Sequence, residues 1–190
     1  MREGLASEDY EVPGFLRVMF EGLLTEIQQL DERVVALEVQ LQELARQSPQ
    51  CQRLQSVPGV GLIVSTAFVG TVGDIKGFRS ARRFASWLGL TPREHSSGGI
   101  RRLGAISKRG DSYLRMLLVQ GARSVLYSAD ASIRAGRPLG PLGHFGVRVR
   151  SRSGHNKAAV AVANKLARIV WATWRNGTKF EVRPPAMAAA

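Results

Sequence analysis

The chain has 190 residues, 44% of them hydrophobic, which is enough for one compact domain and an appendage. Its single cysteine, Cys51, excludes an internal disulfide framework and a cysteine-based metal site, and it reads as a small apolar core residue. No secretory signal stands at the N-terminus and no apolar run is long enough to cross a membrane, so a cytoplasmic protein is expected. There are 27 Lys and Arg against 15 Asp and Glu, a net charge of +12. The charge is split: residues 1–50 hold 4 basic and 10 acidic residues, and residues 51–190 hold 23 and 5. A segment that basic calls for a polyanionic partner, with nucleic acid ahead of an anionic membrane surface. Most of its cations are arginines, which suit bidentate phosphate contacts.

Residues 1–14 read as a flexible acidic lead-in. Residues 15–48 read as one long helix with a heptad pattern. Phe20, Ile27, Val34 and Leu41 recur at position a, and Leu16, Leu23, Leu30, Leu37 and Leu44 at position d. Ile and Val at a with Leu at d favour a two-stranded parallel coiled coil, so a homodimer through residues 16–47 is expected, with Arg33 and Glu38 able to pair across it. The alternatives are an amphipathic helix folded back on its own domain and an antiparallel pairing in a larger assembly. Ser48-Pro49 should end the helix.

A compact helical region should follow over residues 52–128. Pro58-Gly59-Val60-Gly61 forms a turn before an apolar helix from about Leu62 to Val72. The run RSARRFASWLG forms a second helix, and residues Ser112 to Tyr127 a third, burying Leu114, Leu117, Leu118 and Val125. Residues 129–154, rich in Gly, Pro and Arg and without evident period, read as an irregular loop. A basic helix is expected over 155–177, with Asn156 as N-cap and Gly177 just past its end. Lys157, Lys165, Arg168 and Arg175 share one of its faces. Residues 178–190 read as a tail. No strand signal is visible, so the fold class is all-α.

Three stretches bear on chemistry. Val57-Pro58-Gly59-Val60-Gly61 resembles the hairpin of helix-hairpin-helix DNA-binding motifs, in which Gly59 and Gly61 would let the backbone and the next helix's N–H groups approach a phosphate. An ordinary helix-helix turn is equally compatible. The second stretch is Leu88–Arg115, LGLTPREHSSGGIRRLGAISKRGDSYLR. A serine attacking a phosphodiester must be exposed and surrounded by positive charge. Ser97, before Gly98-Gly99, has Arg93, Arg101, Arg102, Lys108 and Arg109 near it in sequence, and Glu94 or His95 to assist deprotonation. Residue types alone favour a phosphate-positioning or merely solvated loop. Third, Arg115 on the third helix and Lys157, Lys165 and Arg168 on the last are further phosphate-binding candidates. No carboxylate cluster or histidine spacing marks a metal site.

Taken together, the patterns P-G-V-G, F-R-S-A-R, W-L-G-L-x-P-R, S-S-G-G, S-K-R-G-D-x-x-L-R and N-K-L-A-R resemble the C-terminal transposase domain of the IS110 (IS116/IS902) insertion-sequence family. The likeness is dense over about residues 52–128 and resumes over 154–180. The resemblance implies a DNA recombinase acting by strand exchange, with a serine that becomes covalently joined to DNA. It points to Ser97, with Ser96 as the fallback. It also implies an N-terminal RuvC-like domain with an acidic, Mg-type metal site, and a coiled coil that pairs protomers. Some members use a structured RNA to choose donor and target, so DNA, RNA and a second copy are the expected partners. The RuvC-like domain is not in this sequence. No metal or other cofactor is therefore expected in this chain, and the chain alone is expected to be incomplete. The Gly/Pro/Arg run at 133–152 departs from the family pattern and reads as coding sequence shifted out of frame and restored, as in a degraded copy. The alternatives to a catalytic role are a dimeric module that grips nucleic-acid backbone without chemistry, and an inactive remnant.

Overall fold

A computed structural model describes residues 13–96, 99–100 and 102–181. The chain divides into two units, residues 1–44 and 45–190. Helix α1 spans Gly14–Gln47. Among its described residues the apolar side chains are largely exposed, including Leu23, Ile27, Leu30, Val34 and Leu37 at 51–55%.

The second unit is a helical bundle. After α2 (Pro49–Leu54), capped by Ser48, come α3 (Leu62–Val72) and a short 3₁₀ turn at Ile75–Gly77. Then follow α4 (Ala81–Trp87), strands β1 (Pro92–Glu94) and β2 (Leu103–Ile106), and helices α5 (Ser112–Arg134), α6 (Pro141–Ser153) and α7 (His155–Asn176). Helices α5, α6 and α7 pack on one another, and α4 packs on α7. The core holds Leu54, Phe68, Phe84, Leu114, Leu118, Leu126, Leu166 and Val170, each wholly buried. Full burial of such a side chain contributes about 1.5–3 kcal/mol. Helix α7 is the central strut. Nine of its residues are buried, and alanines at 158, 159, 163 and 167 let its neighbours approach closely.

The helices expected around Leu62–Val72 and from Ser112 lie where the sequence places them. Two expectations are corrected. The expected irregular loop over 129–154 is mostly helix: α5 runs on to Arg134, and Pro141–Ser153 forms α6. Leu142, Phe145, Gly146 and Val149 recur at helical spacing and turn inward. Gly146 is there because α6 crosses α5 and α7 closely. A Cβ on it would lie 2.6 Å from Leu126 and 3.1 Å from Val162. Its glycines Gly143 and Gly146 therefore mark packing. The all-α class holds, with one small two-stranded antiparallel hairpin set among the helices. Both strands are exposed on nearly every residue, so no alternation of apolar and polar residues announced them. Second, α7 begins at His155 with Gly154 as its N-cap, and Asn156 lies inside its first turn. Gly177 does close the helix, in the left-handed conformation.

Candidate functional site

The Ser/Gly/Arg stretch folds as the β1–β2 hairpin. Pro92 lies opposite Ile106 and Glu94 opposite Leu103, with an irregular step between them. The ladder continues past both strands. The His95 N–H donates to the Arg102 carbonyl at 2.9 Å, Ser107 N–H to Thr91 at 2.9 Å, and Lys108 N–H to Gly89 at 3.1 Å. Arg93 Nη2 donates to the Ser107 carbonyl at 3.4 Å. At the neck of the turn, Ser96 Oγ donates to Glu94 Oε1 at 2.8 Å and accepts from the Arg102 N–H at 3.2 Å. A hydroxyl has one hydrogen to give, and Ser96 gives it to Glu94. Ser97, Gly98 and Arg101 lie outside the described residues. Gly99 has φ +78° with open space around it, as a tight turn requires.

The segment after β2 fastens this hairpin to the helices. Gly110, at φ +106°, approaches the Trp87 carbonyl so closely that a Cβ would overlap it. Asp111 Oδ1 accepts from the Leu114 N–H at 2.8 Å and caps α5. Arg115 is half-buried; its Nη1 donates to the Leu88 carbonyl at 3.1 Å and to the Asp111 carbonyl at 3.4 Å. That guanidinium ties α5 to the end of α4. The side chains of Lys108 and Arg109 are exposed beside it.

Hairpin, α4 and α7 enclose a cleft of about 420 Å³. Arg82 and Ser86 line it from α4, Thr91 and Glu94 from the hairpin, and Asn164 and Arg168 from α7. Asn164 Nδ2 donates to the Leu90 carbonyl at 2.9 Å, holding α7 against the start of the hairpin. Of the candidates on α7, only Arg168 reaches this cleft. Lys165 sits 4.5 Å from the Phe145 ring centre in a cation–π contact, and Lys157 is exposed near the helix start. Arg82, Ser86, Thr91 and Asn164 were missed from residue types. For Arg82 and Asn164 the signal lay in the F-R-S-A-R and N-K-L-A-R patterns, since both motifs contribute an arginine to one cleft.

The Pro58–Gly61 turn divides its two glycines. Gly59, at φ +83°, packs on α5; a Cβ there would lie 2.5 Å from the Gly121 carbonyl oxygen. Its freedom thus serves a backbone-to-backbone contact inside the protein. Gly61 is exposed and starts α3 with no side-chain cap. Among the described residues no group of three or more His, Cys, Asp or Glu is placed to hold a metal ion, and no helix is long and apolar enough to cross a membrane.

Such a basic helical domain, with a serine-glycine hairpin beside an arginine-flanked cleft, has known relatives. Residues 51–136 match the sequence model of the IS116/IS110/IS902 transposase family. A probable family 20 transposase of Pseudomonas aeruginosa is 43% identical over 169 residues, covering 88% of this chain and 48% of the relative. The transposase of insertion sequence element IS1111A from Coxiella burnetii is 38% identical over 169 residues, 88% of this chain and 44% of the relative. A 43.6 kDa protein of insertion element IS110 from Streptomyces coelicolor is 30% identical over 186 residues, 97% of this chain and 44% of the relative. The chain belongs, through residues 51–136, to the IS116/IS110/IS902 transposase family. It spans about half the length of the curated relatives it matches.

Proposed function

We propose that the chain is the DNA-gripping, serine-bearing part of a transposase, and that Ser97 is its nucleophile. The observation that supports this reading is an exposed hairpin, with Ser96 at its neck, beside a cleft flanked by Arg82 and Arg168. Ser97 Oγ attacks phosphorus, forming an Oγ–P ester as one P–O bond to deoxyribose breaks. The serine proton passes to a base and the leaving oxygen departs as a hydroxyl. The number of phosphodiester bonds is conserved, so a hydroxyl from another strand reverses the step, releases serine and joins exchanged strands. The arginines offset charge on the non-bridging oxygens. Ser96, the fallback, donates to Glu94 and accepts from the Arg102 N–H at the neck of the turn; the preference for Ser97 over its neighbour rests on the family likeness.

DNA is gripped through phosphates by Arg93, Arg101, Arg102, Lys108, Arg109 and Lys157 together with the cleft arginines, so binding falls steeply as salt rises. A second copy pairs through residues 16–47, whose apolar seam is exposed in the single chain. By family likeness a structured RNA is the third partner. Strand exchange needs functions outside this chain, including the metal chemistry of a RuvC-like domain. No step above runs through a metal. To test the reading, the chain is incubated with DNA, alone and with a full-length family transposase, and adducts are resolved by size under denaturing conditions. A covalent adduct of this chain is expected for the parent and for Ser96→Ala, and none for Ser97→Ala. An adduct that survives Ser97→Ala overturns the assignment.

A further inference from the structure

On the other side of Ser86 from the hairpin cleft lies a second one, open and about 560 Å³ in volume, lined by Gly77, Phe78, Arg79, Arg83, Ser86 and Trp87. It combines two features that single-stranded nucleic acid selects for. Trp87 is 37% exposed, a rare position for so large an apolar ring, and its indole N–H has no hydrogen-bond partner among the described residues. The ring is braced from within. Phe84, wholly buried, stacks on it at 5.9 Å and 18°, and Phe78 meets it at 5.2 Å and 60°. The backbone on both sides is pinned. Trp171 Nε1 donates to the Phe78 carbonyl at 3.1 Å, and Gly110 packs on the Trp87 carbonyl. A rigid exposed aromatic costs little ordering on binding.

The second feature is charge. Arg79 and Arg83 are exposed at the same cleft, and neither is paired with a carboxylate among the described residues. An aromatic face flanked by two free guanidinium groups offers a stacking surface for a base and two grips for its phosphates. Duplex DNA keeps its bases stacked on each other and cannot use the ring in this way. Ser86 lines both clefts, so a strand held in the hairpin cleft by Arg82 and Arg168 has this second cleft next to it.

We propose that the Phe78–Arg79–Arg83–Trp87 cleft binds an unpaired DNA nucleotide adjoining the strand held at the serine hairpin, with the base stacked on Trp87 and the phosphates on Arg79 and Arg83. The choice of DNA rests on the strand-transfer reading above, because the two clefts adjoin at Ser86. The cleft thereby selects opened strands over intact duplex.

The test measures binding of a short fluorescent single-stranded DNA, the same sequence as duplex, and the same sequence as RNA. Trp87→Ala and the Arg79→Gln, Arg83→Gln double variant should each weaken single-strand binding about tenfold or more while changing duplex binding less than about twofold. Trp87→Phe should keep most of the binding, because it retains a π-face. Bound single strand should quench Trp87 emission, seen as signal lost in Trp87→Phe. Should Trp87→Ala fail to fold, the arginine double variant decides, since it removes only exposed side chains. Equal losses on single strand and duplex, or no loss on either, overturn the proposal. Tighter binding of RNA through these same residues overturns the assignment to DNA. Adduct formation by the parent chain is scored separately from its preference for single strand. A missing covalent adduct with an intact single-strand preference would therefore count against the nucleophile and not against this cleft.

Discussion

Between Gly14 and Leu44 the seam residues Leu23, Ile27, Leu30, Val34 and Leu37 remain half exposed, whereas in the second unit Leu114, Leu118, Leu126, Leu166 and Val170 are wholly buried. Both stretches place apolar residues at helical spacing. In the second unit the partner faces belong to the same chain, and small residues such as Gly59, Gly121, Gly146 and Ala163 let those faces meet at backbone distance. The long helix has a continuous stripe and no partner helix of its own length within the described chain. The same hydrophobic arithmetic therefore produces a self-sufficient bundle in one case and a surface that gains by association in the other. The contrast extends to charge, since the acidic half of the chain holds the stripe and the basic half holds the clefts.

The sharpest way to break this contrast is Gly121→Ala. Alanine is the better helix former by about 1 kcal/mol, so an isolated α5 would gain from the change. In the bundle the new Cβ would overlap the Gly59 carbonyl oxygen, a backbone atom that cannot swing aside. The expected result is a loss of about 3 kcal/mol or more in the second unit, read as a large drop in its thermal midpoint. The α1 helix should keep its tendency to associate. A midpoint that rises instead would show that the Gly59–Gly121 contact does not govern the crossing.

The next effect is on assembly. Ile27→Asp with Leu30→Asp places two charges on adjacent seam positions, and each buried apolar side chain lost from such a seam is worth about 1.5–3 kcal/mol. Light scattering should show a dimer become a monomer, with the second unit's thermal midpoint unmoved. A parent chain that is monomeric at all accessible concentrations would remove the pairing from the proposal.

Much of this architecture was legible in the amino-acid order because the strongest signals were local and periodic. The heptads of α1, the run Leu62–Val72 and the start of α5 near Ser112 each announce themselves within one or two turns. What was not legible depends on neighbours far away in sequence. Gly143 and Gly146 look like helix breakers until Ala129 is seen against the first and Leu126 and Val162 against the second. The hairpin carries no alternation because neither of its faces is buried. The candidate site shows the same division. The cationic character of the Ser/Gly run was readable, but the cleft is assembled from Arg82, Glu94 and Arg168, segments that only the fold brings together. Arg115, a phosphate-binding candidate by type, turns out to hold Leu88 and Asp111 in place.

The smallest expected effect concerns the ion pair that joins α5 to the helix the sequence concealed. Arg150 Nη1 donates to Asp130 Oδ2 at 2.6 Å and Nη2 to Oδ1 at 2.5 Å, a bidentate fork between α6 and α5. The hydrogen bonds from Arg150 hold the Asp130 carboxyl below its ordinary range. A carboxyl whose pKa is lowered in the folded state adds stability above its unfolded value of about 4, and that contribution fades as pH falls through the lowered folded value. Both side chains are partly exposed, at 27% and 36%, so solvent screening limits the gain to about 1 kcal/mol or less. Asp130→Asn should therefore lower the thermal midpoint by a few degrees near neutral pH. The difference from the parent chain should shrink as pH drops below about 4, where the parent's own carboxyl takes up its proton. A gap that stays constant down to strongly acid pH would assign the loss to packing at the α5–α6 contact, because packing, unlike the carboxylate, does not titrate.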